Sequence, residues 1–436
     1  MKNAEYMKNF IKYSSLNVMG MLGLSCYILA DTFFVAKGLG ADGLAALNLA
    51  IPVYSFVHGT GLMLGMGGAS WYSILRGQGK KREGNVVFTH TMFLVIFAAM
   101  LFCSIGIFCP EGLTRLLGAE GAVFGMSCIY LKVILLFAPL FLLNDVLLCF
   151  VRNDGAPQLA MAAMLTGSFS NILLDYVFIF PLGLGIFGAV LATGLAPVIS
   201  MLVLSPFFIR KKNHFHFRSS NKSFYKCRTI AAIGLSALVT EVSSGLVIIL
   251  FNRIILELEG NLGVAAYGVI ANLSLVVLSV YTGIAQGIQP LLSRYHGLGK
   301  NEGVRTVLRY AVRAAVLLSV LLYVCIFFQA DQIARIFNRE EEPALQSIAV
   351  YGMKIYFTAC FFAAINIIFS VYYAAVKCAK TAGFISILRG LVLIVPMAFL
   401  LAAVWDMTGL WLAFPLTEML VMAIALWMYR KYRKKI

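Results

Sequence analysis

Apolar residues come along this chain in long runs broken by short polar clusters. Runs able to cross about 30 Å of hydrocarbon fall near residues 11–36, 45–75, 86–109, 122–151, 157–180, 185–209, 229–256, 263–293, 306–329, 345–376, 381–404 and 408–429. Turn chemistry separates them: GLGADG at 38–43, RGQGKKREG at 76–84, NDGAP at 153–157, PLGLG at 181–185 and HGLGKNEG at 296–303. These clusters carry the Gly, Asn, Asp and Pro that punctuate helices. The pattern predicts an all-α integral membrane protein with twelve transmembrane helices. The apolar run after MKNAEYMKNFIKYSS is too long for a signal-peptide core and lacks a clear small-x-small cleavage site, so it is read as a retained first helix.

The chain also aligns with itself. A shift of 220 residues lays GADGLAA (40–46) on GNLGVAA (260–266), RGQGK (76–80) on HGLGK (296–300), and Gly67 and Ser73 on Gly287 and Ser293. A shift of 224 lays GIFGAVLAT (185–193) on GLWLAFPLT (409–417). Six helices followed by six of the same orientation form a parallel repeat, which places a substrate site between two lobes that rock against each other. The predicted division is a first lobe at 1–210, a cytoplasmic linker at 211–226 and a second lobe at 227–436. His214 and His216 are expected in a solvated linker rather than on a metal.

Composition agrees with membrane burial. Of 436 residues, 61% are hydrophobic and only 12% charged, against about 25% charged in soluble proteins. The net charge of +16 reads as topology rather than nucleic-acid affinity. With both termini inside, 28 of the 35 basic residues fall on one side, Arg152, Arg313 and Arg389 counted among them. The opposite loops hold most acids, including Glu257, Glu259, Asp331, Glu340, Glu341 and Glu342. This satisfies the positive-inside rule, with both termini in the cytoplasm. The nine cysteines stand singly and read as small buried hydrophobes.

Ionisable groups inside the spans are costly and mark function. Five acids qualify: Asp31, Asp145, Asp175, Glu241 and Glu418. Asp145, seven residues before Arg152, is expected as an end-of-helix charge that reaches water. Asp31 and Asp175 each lie six residues from the outer end of an outward-running helix, so they are level and able to share a pocket. Tyr27 and Asn171 sit one turn before them, and Thr193 reaches a similar depth. Two carboxylates in low dielectric do not both ionise cheaply. With amide and hydroxyl oxygens they suit a proton or a hard cation, Na⁺ bound by Asp31, Asn171, Asp175 and Thr193. Neither Asp31 nor Asp175 is duplicated by the repeat. Glu241, His58 and Gln286 are candidate substrate-binding residues. GLMLG at 61–65 has the small-xxx-small spacing of close helix packing. RGQGKK lacks the Ser/Thr and preceding strand of a phosphate loop.

The stretches ADTFFVAKGLGADGLAALNLAIP (30–52), GQGKKREGN (77–85), RNDGAPQLAM (152–161), NILLDYVFIFPLGLGIFGAVLAT (171–193) and YTGIAQGIQPLLSRYHGLGKNEG (281–303) together resemble the multidrug and toxic compound extrusion (MATE) family, in particular its bacterial Mep-type branch. The resemblance covers essentially the whole chain. It implies two six-helix lobes around a central cavity in the plasma (inner) membrane. It also implies export of small amphipathic, mainly cationic compounds against inward H⁺ or Na⁺, with no cofactor and no enzymatic step. The family's first-lobe ion site maps onto Asp31, Asn171, Asp175 and Thr193, with Tyr27 beside it. The bend proposed for helix 1 in some members would here have to come from Gly20 or Gly23, since no proline precedes Pro52. A monomer is expected, embedded in the lipid bilayer. A lipid-linked oligosaccharide flippase is the alternative, disfavoured because Lys and Arg avoid helix centres. An intramembrane enzyme would need a nucleophile, base or metal constellation that the sequence does not show.

The charge asymmetry makes a direct test. A variant keeping Cys227 as its sole cysteine is expected to react with impermeant thiol reagents in inside-out vesicles. Labelling in intact spheroplasts reverses the orientation.

Overall fold

The computed structural model describes residues 2–218, 224–338 and 342–433, and every regular element among them is helical. Glu340 and Glu341 lie outside the described residues. In order these are α1 (Lys2–Gly77), α2 (Lys81–Phe108), α3 (Pro110–Leu116), α4 (Gly121–Leu136), α5 (Ala138–Asn153), α6 (Pro157–Ile179), α7 (Gly185–Ile209) and α8 (Phe224–Gly297). There follow α9 (Asn301–Phe337), α10 (Pro343–Tyr356), a 3₁₀ turn (Phe357–Ala359), α11 (Cys360–Ala375), α12 (Ala379–Ile387), a π-helical turn (Leu388–Val392) and α13 (Ile394–Arg433).

A straight α1 of 76 residues would run about 114 Å, several times the hydrocarbon thickness. It folds back at Gly40, whose φ of 66° and ψ of −157° belong to a region only glycine occupies freely. The hydroxyls of Tyr27 and Tyr54, on the two arms that meet at that elbow, lie 2.8 Å apart. α8 repeats the device at Gly260 (φ 63°, ψ −153°), and Phe251 stacks on Tyr267 across it at 5.5 Å. α13 reverses at Trp405–Asp406. α4 and α5 are one pass bent by 48° at Phe137, and α10 and α11 are one pass continued through the 3₁₀ turn at Phe357. Twelve passes result, six before residue 210 and six after 224. GLGADG therefore makes no loop: one left-handed residue suffices, and its neighbours stay helical.

The repeat extends to backbone detail. Gly40 and Gly260 share one conformation, and Gly79 and Gly299 share another (φ 79° and 68°). The bonds closing the turn at 78–81 (Gln78 N–H to Ile74, Gly79 N–H to Arg76, Lys80 N–H to Leu75) recur at Leu298, Gly299 and Lys300. Phe137 and Phe357 cap the first halves of matching passes, with φ of −84° and −76°.

Within the first lobe, the first arm of α1 (residues 2–39) runs parallel to α6. Gly20 faces Met164, Gly23 faces Leu165, Gly38 faces Ile179, and Phe34 faces Tyr176 at 6.1 Å. This register sets Asp31 level with Asp175. Gly20 and Gly23 serve that contact and make no bend, because the arm stays helical to Gly40. Gly61 and Gly65 pack on Asp145 and Cys149 of α5, as their spacing predicts.

The lobes touch where glycines let backbones meet. A Cβ on Gly67 would strike the Ile230 carbonyl, one on Gly234 the Met63 carbonyl, and one on Gly297 the Ile74 carbonyl. Gly77 meets its own repeat mate, Gly297, and Gly283 and Gly287 lie against Val18 and Ser14. All these contacts cluster at the end of the bundle that carries the N-terminus. There Asn153 Nδ2 donates to Gln289 Oε1 at 2.9 Å, and Gln289 Nε2 donates to Ser70 Oγ at 2.7 Å. Lys377 covers the Trp71 ring at 4.6 Å.

The described part of the segment between the lobes docks on the first lobe through Phe215, while His214 and His216 stay exposed. The His214 N–H donates to Asp154 Oδ2 at 2.7 Å. Phe215 is buried among Tyr72, Phe88, Phe150 and Phe208. An apolar side chain between two histidines makes that docking favourable.

Gly234→Val places a branched side chain against the Met63 backbone. It is expected to cost about 1–3 kcal/mol, as overpacking does, and to lower the thermal midpoint in detergent. A surface control such as Gly112→Ala, with open space at its Cβ position, leaves the midpoint unchanged.

Candidate functional site

Asp31 and Asp175 are both buried, at 7% and 0% exposure, and lie within electrostatic reach of each other. Asp31 Oδ1 and Asp175 Oδ1 have no hydrogen-bond partner, and no Lys, Arg or His pairs with either among the described residues. Asn171 sits one turn below Asp175. In the amide orientation that satisfies both of its ends, its nitrogen donates to Asp175 Oδ2 at 3.1 Å and its oxygen accepts from the Thr193 N–H at 3.1 Å. Thr193 Oγ1 donates to the Ala189 carbonyl at 3.1 Å, and the Tyr130 hydroxyl reaches Thr193. Tyr27 closes the cluster through its bond to Tyr54. The sequence-predicted group of Asp31, Asn171, Asp175, Thr193 and Tyr27 is thus one cluster. An unpaired buried carboxylate is expensive, and here two share a site. Their orphaned oxygens, with the amide and hydroxyls nearby, form an all-oxygen donor set that fits a proton or Na⁺. Among the described residues no group of three His, Cys, Asp or Glu side chains is arranged for a metal ion.

Beside this cluster lies a cavity of about 80 Å³, lined in part by Tyr27, Tyr54, His58, Phe141, Asp145 and Thr193. Asp145 is no end-of-helix charge reaching water: it is 6% exposed, and its Oδ2 lies 2.9 Å from His58 Nδ1. Asp145 lies on α5 one turn before Cys149, on the face that packs on Gly61 and Gly65 of α1. Glu241 approaches from the other lobe, its Cβ packed on Gly59. Gln286 does not contact this acidic group; its Oε1 accepts from Arg152 Nη1 at 3.0 Å.

Arg152 is likewise no cytoplasmic loop charge. It is 2% exposed and bonded to Asn17 and Gln286. Arg389 also leaves the loops: the π-helical turn puts it inside the second lobe, where Nε and Nη2 hold Glu418 Oε1 at 3.0 and 2.7 Å. Asn366 Nδ2 takes Glu418 Oε2 at 2.6 Å. Basic residues therefore do enter the bundle, contrary to the reading that they avoid helix centres. Arg389, Glu418 and Glu241 border a second cavity of about 210 Å³, and Met21 and Leu24 line both cavities. Sequence reasoning did not find Tyr54, Tyr130 or Arg389. For Arg389 the signal was its place inside the apolar run 381–404.

Comparison with known proteins bears on this architecture. The family model described as MatE matches twice, over residues 18–177 and 236–400, once in each lobe. The multidrug export protein MepA of Staphylococcus saprophyticus is 25% identical over 408 residues, 92% of this chain and 89% of that protein. MepA of Staphylococcus aureus is 24% identical over 406 residues, covering 92% and 88%. Among solved structures, an outward-facing multidrug resistance MATE family transporter of the MOP superfamily superposes with a TM-score of 0.92 at 23% identity, over 99% of this chain and 97% of that one. A MOP superfamily transporter of Pyrococcus furiosus, for which reverse polarity of the binding pocket suggested a different function, gives 0.90 at 23% identity over 98% and 96%. With the family match spanning most of both lobes, and the doubled six-helix fold shared, this chain belongs to the MATE family of multi-pass membrane transporters.

Proposed function

We propose that the chain exports small amphipathic cations by alternating access, driven by inward H⁺ or Na⁺ bound at Asp31 and Asp175. The observation that carries this reading is the contrast between the lobes. In the first, two buried carboxylates face each other with orphaned oxygens and no basic partner. In the second, Glu418 has its own counter-ion in Arg389 and its own donor in Asn366. The second site is electrically complete without an ion; the first becomes so only when a cation or proton binds. Ion occupancy therefore changes the energy of first-lobe packing, and the register of α1 on α6 is the element it acts on.

The sealed end is assigned to the cytoplasm, a reading supported by the basic residues gathered there. With that end closed by glycine contacts and the Asn153–Gln289–Ser70 bonds, the cavities belong to an outward-facing state. An entering cation reaches Asp31 and Asp175, neutralises them and favours drug release. Inward return releases the ion and reloads drug. The names of the bacterial MepA relatives support drug export and the plasma membrane. Tyr27, Tyr54, Phe141, Met21 and Met164 give the first cavity a soft aromatic and thioether wall, suited to dissimilar cations. A flippase cavity needs a basic group free to hold pyrophosphate; Arg389 is engaged by Glu418 and Arg152 by Asn17 and Gln286.

Asp31→Asn and Asp175→Asn are each expected to abolish gradient-driven efflux of ethidium-like dyes from proteoliposomes while leaving expression and melting intact. Parent-rate transport by Asp31→Asn sinks the first-lobe coupling site. Arg389→Leu strands Glu418 and is expected to destabilise by about 3–5 kcal/mol, whereas Arg389→Leu combined with Glu418→Leu recovers most of the loss. The thermal midpoints of the two variants measure the difference.

A further inference from the structure

We propose that a crevice in the second lobe binds a phosphate group, presented by the headgroup of an anionic phospholipid. The crevice, of about 20 Å³, lies between the end of α8, the start of α9 and the ends of α11 and α13. Arg305, His296, Asn301, Tyr372, Tyr429 and Val376 line it. It sits at the end of the bundle that carries the N-terminus, where Tyr6 packs on Tyr295 at 5.1 Å and against Gly303. None of these lining residues borders either of the two cavities described above. No carboxylate lines the crevice. Among the described residues, neither Arg305 nor His296 has an ion pair or a side-chain hydrogen bond. Tyr372 is 7% exposed, and its hydroxyl likewise has no hydrogen-bond partner among the described residues.

The internal repeat shows what this corner lacks. The bonds that end α5 (Asp154 N–H to Phe150, Gly155 N–H to Arg152, Ala156 N–H to Val151) recur at the end of α11 (Val376 N–H to Tyr372, Lys377 N–H to Ala374, Cys378 N–H to Tyr373). Gly155 and Lys377 share a positive φ, 100° and 64°. Val376 therefore stands where the first lobe has Asp154, and Tyr372 where it has Phe150. The matching turns after α1 and α8 set His296 in the place of Arg76, and Arg305 on α9 in that of Asn85 on α2. In the first lobe Asp154 takes the Arg76 guanidinium, the Tyr72 hydroxyl and the His214 N–H. That corner is closed by its own carboxylate. In the second lobe valine replaces the carboxylate and an arginine is added, so donors and positive charge remain without an acceptor. A phosphate oxygen supplies the missing anion, and the planar guanidinium suits it. The crevice admits about one water-sized group, so the rest of the ligand stays outside. Exposed Trp427, with Lys431 over its ring at 5.3 Å, lies one turn of chain from Tyr429. Such aromatic and basic residues sit at headgroup level, and basic pockets between helix ends favour anionic headgroups.

The test titrates short-chain phosphatidylglycerol into the full chain in a neutral maltoside detergent and reads the thermal midpoint. Phosphatidylcholine of the same chain length and inorganic phosphate are parallel probes. The wild-type midpoint is expected to rise saturably with phosphatidylglycerol and to stay unchanged with phosphatidylcholine. Arg305→Gln is expected to weaken the apparent affinity about tenfold, as loss of one charge-assisted hydrogen bond does. Val376→Asp places in the crevice the carboxylate that the first lobe has, and it is expected to abolish the response. Arg309→Gln, at an exposed position one turn further along α9, keeps the wild-type response. A saturable shift with inorganic phosphate at the same concentrations, lost in Arg305→Gln, supports the site and makes free phosphate its source. An equal shift with phosphatidylcholine, no shift with any probe, or an undiminished response in Arg305→Gln or Val376→Asp overturns it. If one of these two variants fails to fold, the other decides.

Discussion

The whole assembly depends on how closely two helical backbones can approach. In hydrocarbon, each pass must satisfy its own peptide groups, so lobes cannot be joined by shared backbone hydrogen bonds, and little hydrophobic force draws them together. Glycine removes the side chain that would keep the axes apart. At Gly67, Gly77, Gly234 and Gly297, backbone packs on backbone, and the seam runs on through Gly59 on Glu241 and Gly245 on Ser55. Two cavities lie beside this seam, and Met21 and Leu24 line both. A seal of small residues is close enough to be tight, and it holds few interlobe hydrogen bonds to break when the lobes move.

On this doubled scaffold the charges are not doubled. Gly40 and Gly260, Gly79 and Gly299, Phe137 and Phe357 superpose as backbone, yet Phe251 stands where the repeat would place a mate for Asp31. That phenylalanine is buried and stacked on Tyr267, so its position asks for nothing. Asp31 in the corresponding place asks for a cation. Of the second lobe's two interior acids, Glu241 and Glu418, the latter is neutralised by Arg389 from a π-helical turn. Such turns tend to mark functional sites in helices; here the extra residue per turn rotates a basic side chain inward.

The first-lobe group was legible because it lies on regular helices. Spacing of one turn joined Asn171 to Asp175 and Tyr27 to Asp31, and equal distances from the outer helix ends put the two aspartates level. The acidic group around His58 was only half legible. Nearness to Arg152 in sequence suggests an end-of-helix charge for Asp145, whereas in the fold both residues are buried and Asp145 meets His58. Arg152 and Arg389 were counted with loop charges for a similar reason: distance along the chain to the next polar cluster does not measure depth once a helix bends or bulges.

The sequence by itself determined the class, the number of passes, the two-fold repeat and the level pairing of Asp31 with Asp175. All of these follow from periodicities and counts carried by every residue in a run. Only the tertiary structure decided that GLGADG is an elbow rather than a loop, that Phe215 docks the segment between the lobes, and that Asp145 meets His58. It likewise decided that Arg389 meets Glu418. Each of these turns on one backbone dihedral or one local bend, and no repeating pattern records such a single event. Its energy is fixed by the side chain it meets from a distant part of the chain.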